Sequence, residues 1–184
     1  MTALTLIAHA LTPALRGLVL GGEAQPDPAS VDTAREVKIE ADQVFSGPEP
    51  AAVQTAEAIG LVPTVDPALR DREYGDWAGR ELEELLAASP EEVGAWLERP
   101  HTAPPAGETE NDVITRVGDW LGDLVKAEGE GRRSVAAVVH PAVVRAAILY
   151  VLDAPAESLR HVDVRPLSVV RLSAHHGSWS LTFG

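Results

Sequence analysis

The sequence predicts an α/β fold: a three-layer α/β/α sandwich with a mostly parallel central sheet, helices on both faces and a small helical cap insertion. Two observations carry this. Short apolar runs alternate with helix-period segments, the pattern of parallel strands joined by crossover helices. Two of those runs also share an ending. Leu4 to Ala8 ends in His9, and Ser134 to Val139 ends in His140. Ligands of parallel α/β sheets sit beyond the carboxyl ends of the strands. Two histidines placed there by two buried strands are therefore expected to face one pocket.

Composition bounds the chemistry. At 184 residues the chain is expected to form one domain, 1–184. Its apolar content of 45% and charged content of 23% are ordinary for a globule. Without cysteine it has neither disulfides nor thiolate metal sites. The first apolar run is too short for a signal peptide and has no Lys or Arg before His9. The most membrane-like window, Val135 to Leu152, is interrupted by His140, Pro141 and Arg145, so it reads as a strand plus a helix. A cytoplasmic protein is expected. The formal charge of −13 repels nucleic acid and anionic membrane. A small molecule is the expected partner, with no nucleic acid and no membrane, and no feature sets an oligomeric state.

Taken in order, Leu4 to Ala8 is short and partly β-branched, hence a strand. Leu11 to Pro28, rich in Leu, Gly and Pro, is expected to be a loop over the mouth of the site. Val31, Ala34 and Val37 give Ala29 to Ala41 a helical period. Gln43 to Ser46 is a brief strand, Gly47-Pro48 a turn, and Pro50 to Ile59 a helix ended by Gly60. Pro63 to Val65 is a third short strand. Asp71 to Arg80 is charged and aromatic. Glu81 to Ala88 and Pro90 to Glu98 are acidic helical segments, and Pro100 to Gly107 is a proline-rich loop. Residues from about 80 to 107 thus form the cap, too short for a core of its own.

Thr109 opens the longest helix, with Asp112 as its capping-box partner. Val113, Val117, Trp120, Leu121, Leu124 and Val125 make one face apolar, and Gly129 to Arg132 is expected to end it. After the second strand, Pro141 to Leu152 is a helix with proline in its first turn. Leu167 to Ser173 and Ser178 to Phe183 alternate as strands of a hairpin around His175-His176-Gly177. The dispersed Trp77, Trp96, Trp120 and Trp179 are expected in the core. His101, His175 and His176 are expected on the surface, as is the acidic face Glu81 to Glu84.

At this point the residues resemble the histidine phosphatase superfamily, the cofactor-dependent phosphoglycerate mutases and their relatives. The family's Arg-His-Gly stands as Ala8-His9-Ala10, followed by Thr12. Its Ser-Pro-Leu-x-Arg-Ala-x-Gln-Thr-Ala-Glu stands as the run from Gly47-Pro48-Glu49 through Ala51 to Gln54-Thr55-Ala56-Glu57. Its Leu-x-Glu-x-x-x-Gly-x-Trp-x-Gly runs from Leu69 to Gly79. Gly107-Glu108-Thr109 resembles the Gly-Glu-Ser before the long helix. Val138 to Arg145 resembles Val-x-His-Gly-Gly-x-x-Arg. The resemblance implies that His9 is the nucleophile, that His140 holds the phosphoryl oxygens, and that Asp71 is the acid, with Glu73 an alternative two places on. It places substrate contacts at Ala8, Thr12 and Ala51, with Arg16 and Arg72 as neighbouring cations. It implies neither metal nor cofactor.

The departures are chemical. The family's two clamping arginines fall on Ala8 and Ala51, the small residue after the second histidine on Pro141, and a common asparagine on Leu15. Hydrogen bonds to charged groups contribute about 1.5–3 kcal/mol each, and one arginine on a phosphoryl transition state is worth roughly 10³–10⁵ in rate. Arg16, Arg70, Arg72 and Arg145 are the candidate substitutes; Arg145 reads as structural, and Arg70 and Arg72 as partners of nearby acids. Three readings stay open. One is a degenerate site with weak or no phosphatase activity and a binding or regulatory role. Another is an active phosphohydrolase through a phosphohistidine at His9. The third is an acid/base enzyme using His9 and His140 on an uncharged substrate. A metal held by both histidines and a carboxylate is a minor fourth.

Overall fold

Strand alternation sends side chains to opposite faces, and in the two central strands both faces are buried. The computed structural model describes residues 1–22, 24–127 and 132–183. Strands β1 (Thr2–Ala8), β2 (Gln43–Ser46), β3 (Thr64–Val65), β4 (Arg133–Val139), β5 (Val169–His175) and β6 (Ser178–Thr182) form one sheet of order β3-β2-β4-β1-β5-β6. The pairs β3/β2, β2/β4 and β4/β1 are parallel; β1/β5 and β5/β6 are antiparallel. The sheet is mixed α/β and mostly parallel, as the sequence predicts.

Helices α1 (Pro13–Arg16), α2 (Pro28–Ala34), α3 (Pro50–Ile59), α4 (Leu82–Ala88), α5 (Pro90–Glu98), α6 (Glu110–Lys126) and α7 (Pro141–Val151) surround it. Leu4, Leu6 and Ala8 of β1, with Val135, Ala137 and Val139 of β4, pack against α6 and α7. The intervening Ile7, Ala136 and Val138 pack against Ala34 of α2 and Ala52, Ala56 and Ile59 of α3. This is why both strands read as nearly continuous apolar runs. Leu85 of α4 and Val93 of α5 are buried in a small third cluster with Trp77, against which Leu20 and Tyr74 pack.

Several boundaries differ from expectation. The helix expected over 29–41 stops at Ala34, because Val37, Ile39 and Ala41 then point into the second cluster at a period of two. The Leu11 to Pro28 loop contains the one-turn α1, capped by the Thr12 hydroxyl accepting from the Leu15 N–H at 3.1 Å. Strand β5 starts at Val169 rather than Leu167, since Leu167 adopts φ +63° and donates its N–H to the Ala8 carbonyl at 3.0 Å. Residues Pro67–Leu69, Gly75–Trp77 and Ala156–His161 form 3₁₀ turns that no periodicity announced. The capping box of α6 is present in both directions, at 3.0 Å and 2.8 Å. The expected end of that helix at 129–132 lies, apart from Arg132, outside the described residues. The hairpin turns through His176 and Gly177, both at positive φ, the geometry that matches strand twist. Trp77 and Trp120 are buried, while Trp96 and Trp179 are half-buried. His101, His175 and His176 are exposed.

Candidate active site

In the β1/β4 register Ala8 lies beside Val139. The next residue after each strand is a histidine, so parallel pairing delivers both imidazoles to one level at the carboxyl edge of the sheet. Their ring centres are 5.2 Å apart and tilted by 53°. The His9 N–H also donates to the Val139 carbonyl at 2.9 Å, locking the two strand ends together.

His9 is 2% exposed. Its Nδ1 lies 2.7 Å from the Ala10 carbonyl, which can only accept, so Nδ1 carries the proton. That leaves Nε2 as a lone pair with no hydrogen-bond partner among the described residues. Burial, reinforced by the neighbouring His140, lowers the pKa of His9 to about 4, so the ring is neutral at physiological pH. The Ala10 N–H donates to the Thr55 hydroxyl at 2.9 Å, and that hydroxyl donates to the Ala51 carbonyl at 2.6 Å. The start of α3 is thereby tied to the strand end.

His140 is the N-cap of α7. Its Nδ1 lies 2.8 Å from Asp71 Oδ1 and 3.2 Å from the Ala142 N–H. One nitrogen cannot donate to a carboxylate and accept from an amide at once. The shorter contact has the charged partner and is the stronger, so we assign the proton to Nδ1, donating to Asp71. Asp71 is fixed in turn: its N–H donates to Glu49 Oε1 at 2.6 Å, and its Oδ1 accepts from the Arg72 N–H at 2.6 Å. The other oxygen of Glu49, Oε2, is buried without a hydrogen-bond partner among the described residues. Burial raises the pKa of Glu49. A Cβ at Gly47 would lie 2.4 Å from that oxygen, so the glycine makes room for the acid.

These groups line a cavity of about 170 Å³. Of the residues singled out in the sequence, His9, His140, Asp71, Thr12 and Ala51 meet there. Ala8 does not; it is buried beneath, in the core against α6 and α7. Arg16 turns outward to pair with Asp27. Glu73 and Arg72 line an adjoining cavity instead. Glu73 is exposed and bound to Arg70 at 2.8 Å. Arg72 is buried, its guanidinium paired with Glu110 and stacked 5.2 Å from the Trp96 ring centre. Among the described residues no group of three or more His, Asp or Glu is placed to hold a metal. The two-histidine, one-carboxylate site therefore has no support in the geometry.

Sequence reasoning passed over Glu49 and Tyr74 and read Arg145 as structural. All three line the cavity, and Arg145 has no hydrogen-bond or ion-pair partner among the described residues. Its signal was the spacing: Arg145 lies one turn beyond Pro141 and so returns to the face of α7 that starts at His140. Glu49 stands where the family motif has leucine, and Gly47 where it has serine. The opposite wall is apolar, built by Leu15, Leu18, Val19, Leu20 and Leu82.

Comparison with known proteins agrees with this geometry. A sequence profile of the histidine phosphatase superfamily (branch 1) matches residues 29–183. Bifunctional protein Rv2228c of Mycobacterium tuberculosis (strain H37Rv) is 31% identical over 129 residues, 69% of this chain and 35% of that protein. The chain thus spans about a third of the length of that relative. Glucosyl-3-phosphoglycerate phosphatase of Mycolicibacterium vanbaalenii is 27% identical over 173 residues, 84% of this chain and 76% of that protein. The solved structure of the mycobacterial glucosyl-3-phosphoglycerate phosphatase Rv2419c with VO3 superposes with a TM-score of 0.84 at 27% identity, covering 98% of this chain and 96% of the other. With paired strand-end histidines, the sheet order and a profile match over most of its length, the chain belongs to the histidine phosphatase superfamily.

Proposed function

We propose that this protein keeps the frame of a histidine phosphatase but has lost efficient phosphoryl transfer, and that its cleft binds a small molecule in a binding or regulatory role. One observation carries the reading. The two positions that supply guanidinium groups in the family are alanines here, Ala51 on the cleft wall and Ala8 buried beneath it, and the carboxylates of Glu49 and Asp71 line the cleft beside Ala51. A dianionic phosphoryl group would lose two bidentate partners and face like charge. At roughly 10³–10⁵ in rate per arginine, a neutral His9 alone does not restore turnover. The test is hydrolysis of an aryl phosphate, with a parallel titration by inorganic phosphate. Wild type is expected to show neither turnover above background nor saturable binding, whereas Ala51→Arg gains phosphate binding. Phosphohistidine at His9, detected by mass spectrometry after incubation with the aryl phosphate, would refute the proposal.

A second reading has its own observation. The unprotonated Nε2 of His9 is the form a nucleophile needs, and the unpaired Arg145 lines the same cleft. On this reading Arg145 takes over one clamp and the protein is a slow phosphohydrolase. Aryl phosphate hydrolysis abolished by Arg145→Ala as well as by His9→Ala would select it.

A further inference from the structure

The cleft joins two surfaces of opposite character. On one side lie groups that accept hydrogen bonds. His9 presents its unprotonated Nε2, and Oδ2 of Asp71 has no hydrogen-bond partner among the described residues, since only Oδ1 is engaged by His140 and Arg72. Glu49 adds a second carboxylate beneath them, fixed by the Asp71 N–H and seated over Gly47. Against these stand the ring of His140, already directed at Asp71, and Arg145 on the α7 wall shared with Tyr74 and the cavity beyond it.

On the other side is an apolar wall that the backbone goes out of its way to make. Leu18 sits at φ +52°, a conformation that costs a non-glycine residue free energy, yet its side chain remains exposed at the cleft mouth. Hydrogen bonds hold it there. The Leu82 N–H donates to the Leu18 carbonyl at 3.1 Å, the Leu20 N–H to Arg80 at 3.0 Å, and Val19 bridges Glu81. Loop and cap are stitched together with their leucines facing the cleft.

We infer that the cleft takes an amphiphilic ligand, with a hydrogen-bond-donating, cationic head of the primary ammonium class against His9 and Asp71 and an apolar body along Leu18, Val19 and Leu82. Loss of the two guanidiniums, gain of an acid at position 49 and the leucine wall then serve one purpose: charge selection reversed from that of a phosphate site. The assignment rests on the loss of phosphoryl transfer proposed above.

The test is calorimetric titration of the full chain with n-hexylammonium, n-hexanol and n-hexyl phosphate, which share a tail and differ in head. Hexylammonium is expected to bind wild type at least about tenfold more tightly than hexanol, a difference in the range of charge-assisted hydrogen bonds. Asp71→Asn is expected to erase that tenfold preference and Leu18→Ser to weaken both ligands. Glu49→Gln, which keeps the acceptor for the Asp71 N–H, serves as the second variant, and thermal melts verify folding of each. Equal binding of hexanol and hexylammonium, or binding of neither, overturns this inference and leaves the loss of phosphoryl transfer standing. Tighter binding of hexyl phosphate than of hexylammonium overturns this inference alone, and hydrolysis of hexyl phosphate overturns both.

Discussion

A buried imidazole that stays neutral holds fewer protons than the same ring in an unfolded chain, and that difference makes folding depend on pH. For His9 the folded pKa of about 4 lies below the ordinary imidazole value of 6.5. Between these values the unfolded state binds the extra proton, so stability rises with pH across the window and is lost as pH falls. The full difference amounts to about 3 kcal/mol below the folded pKa. Urea denaturation from pH 7 to pH 4 is expected to show this slope in wild type and a shallower one in His9→Asn. The same method separates two acids of one segment. Glu73, exposed and bound to a surface arginine, is expected to change stability by less than about 1 kcal/mol on replacement by Gln. Asp71→Asn, which removes the charged partner of a half-buried imidazole, is expected to cost about 1.5–3 kcal/mol. The sequence put Asp71 first and kept Glu73 as an alternative because it lies two places on. Only the tertiary structure separates them, with Asp71 in the cleft against His140 and Glu73 turned to Arg70 at the surface.

At the scale of elements, α6 and α7 pack so closely that a Cβ at Gly118 would lie 2.3 Å from the Tyr150 ring. Gly118→Ala should therefore overpack the interface and destabilise by about 1–3 kcal/mol, despite alanine's better helix propensity. A urea midpoint shifted upward would contradict that packing. The long amphipathic α6, its capping box and the proline-started α3 and α7 were legible because each carries its own local chemistry. The short 3₁₀ turns and the early end of α2 were not. Val37, Ile39 and Ala41 obey a strand-like period only because the second cluster lies on that side of them. Arg145 shows the same limit. Its place on α7 was readable, but its freedom from an ion-pair partner depends on which acids Arg70, Arg72 and Arg116 have already taken.

Over the whole molecule, a formal charge of −13 at neutral pH repels itself in the compact state. Screening by salt should relieve that repulsion, so Tm is expected to rise between low and high sodium chloride at pH 7. A fall in Tm would mean that the half-buried ion pairs around Glu108 outweigh the global field. Among the described residues no helix is long and apolar enough to cross a membrane.

The sequence by itself determined the layered α/β class, the paired histidines and the absence of both family arginines. Each of these is a property of residue type and order, set by periodicity, by strand-end position or by a side chain that is simply missing. Tertiary structure alone decided which charged groups share the cleft, and its shape. Glu49, Asp71, Arg145 and the leucines of the 15–20 loop come from four separate segments. Distances between such groups are made only when sheet, cap and helices close on one another, and no local pattern of residues encodes them.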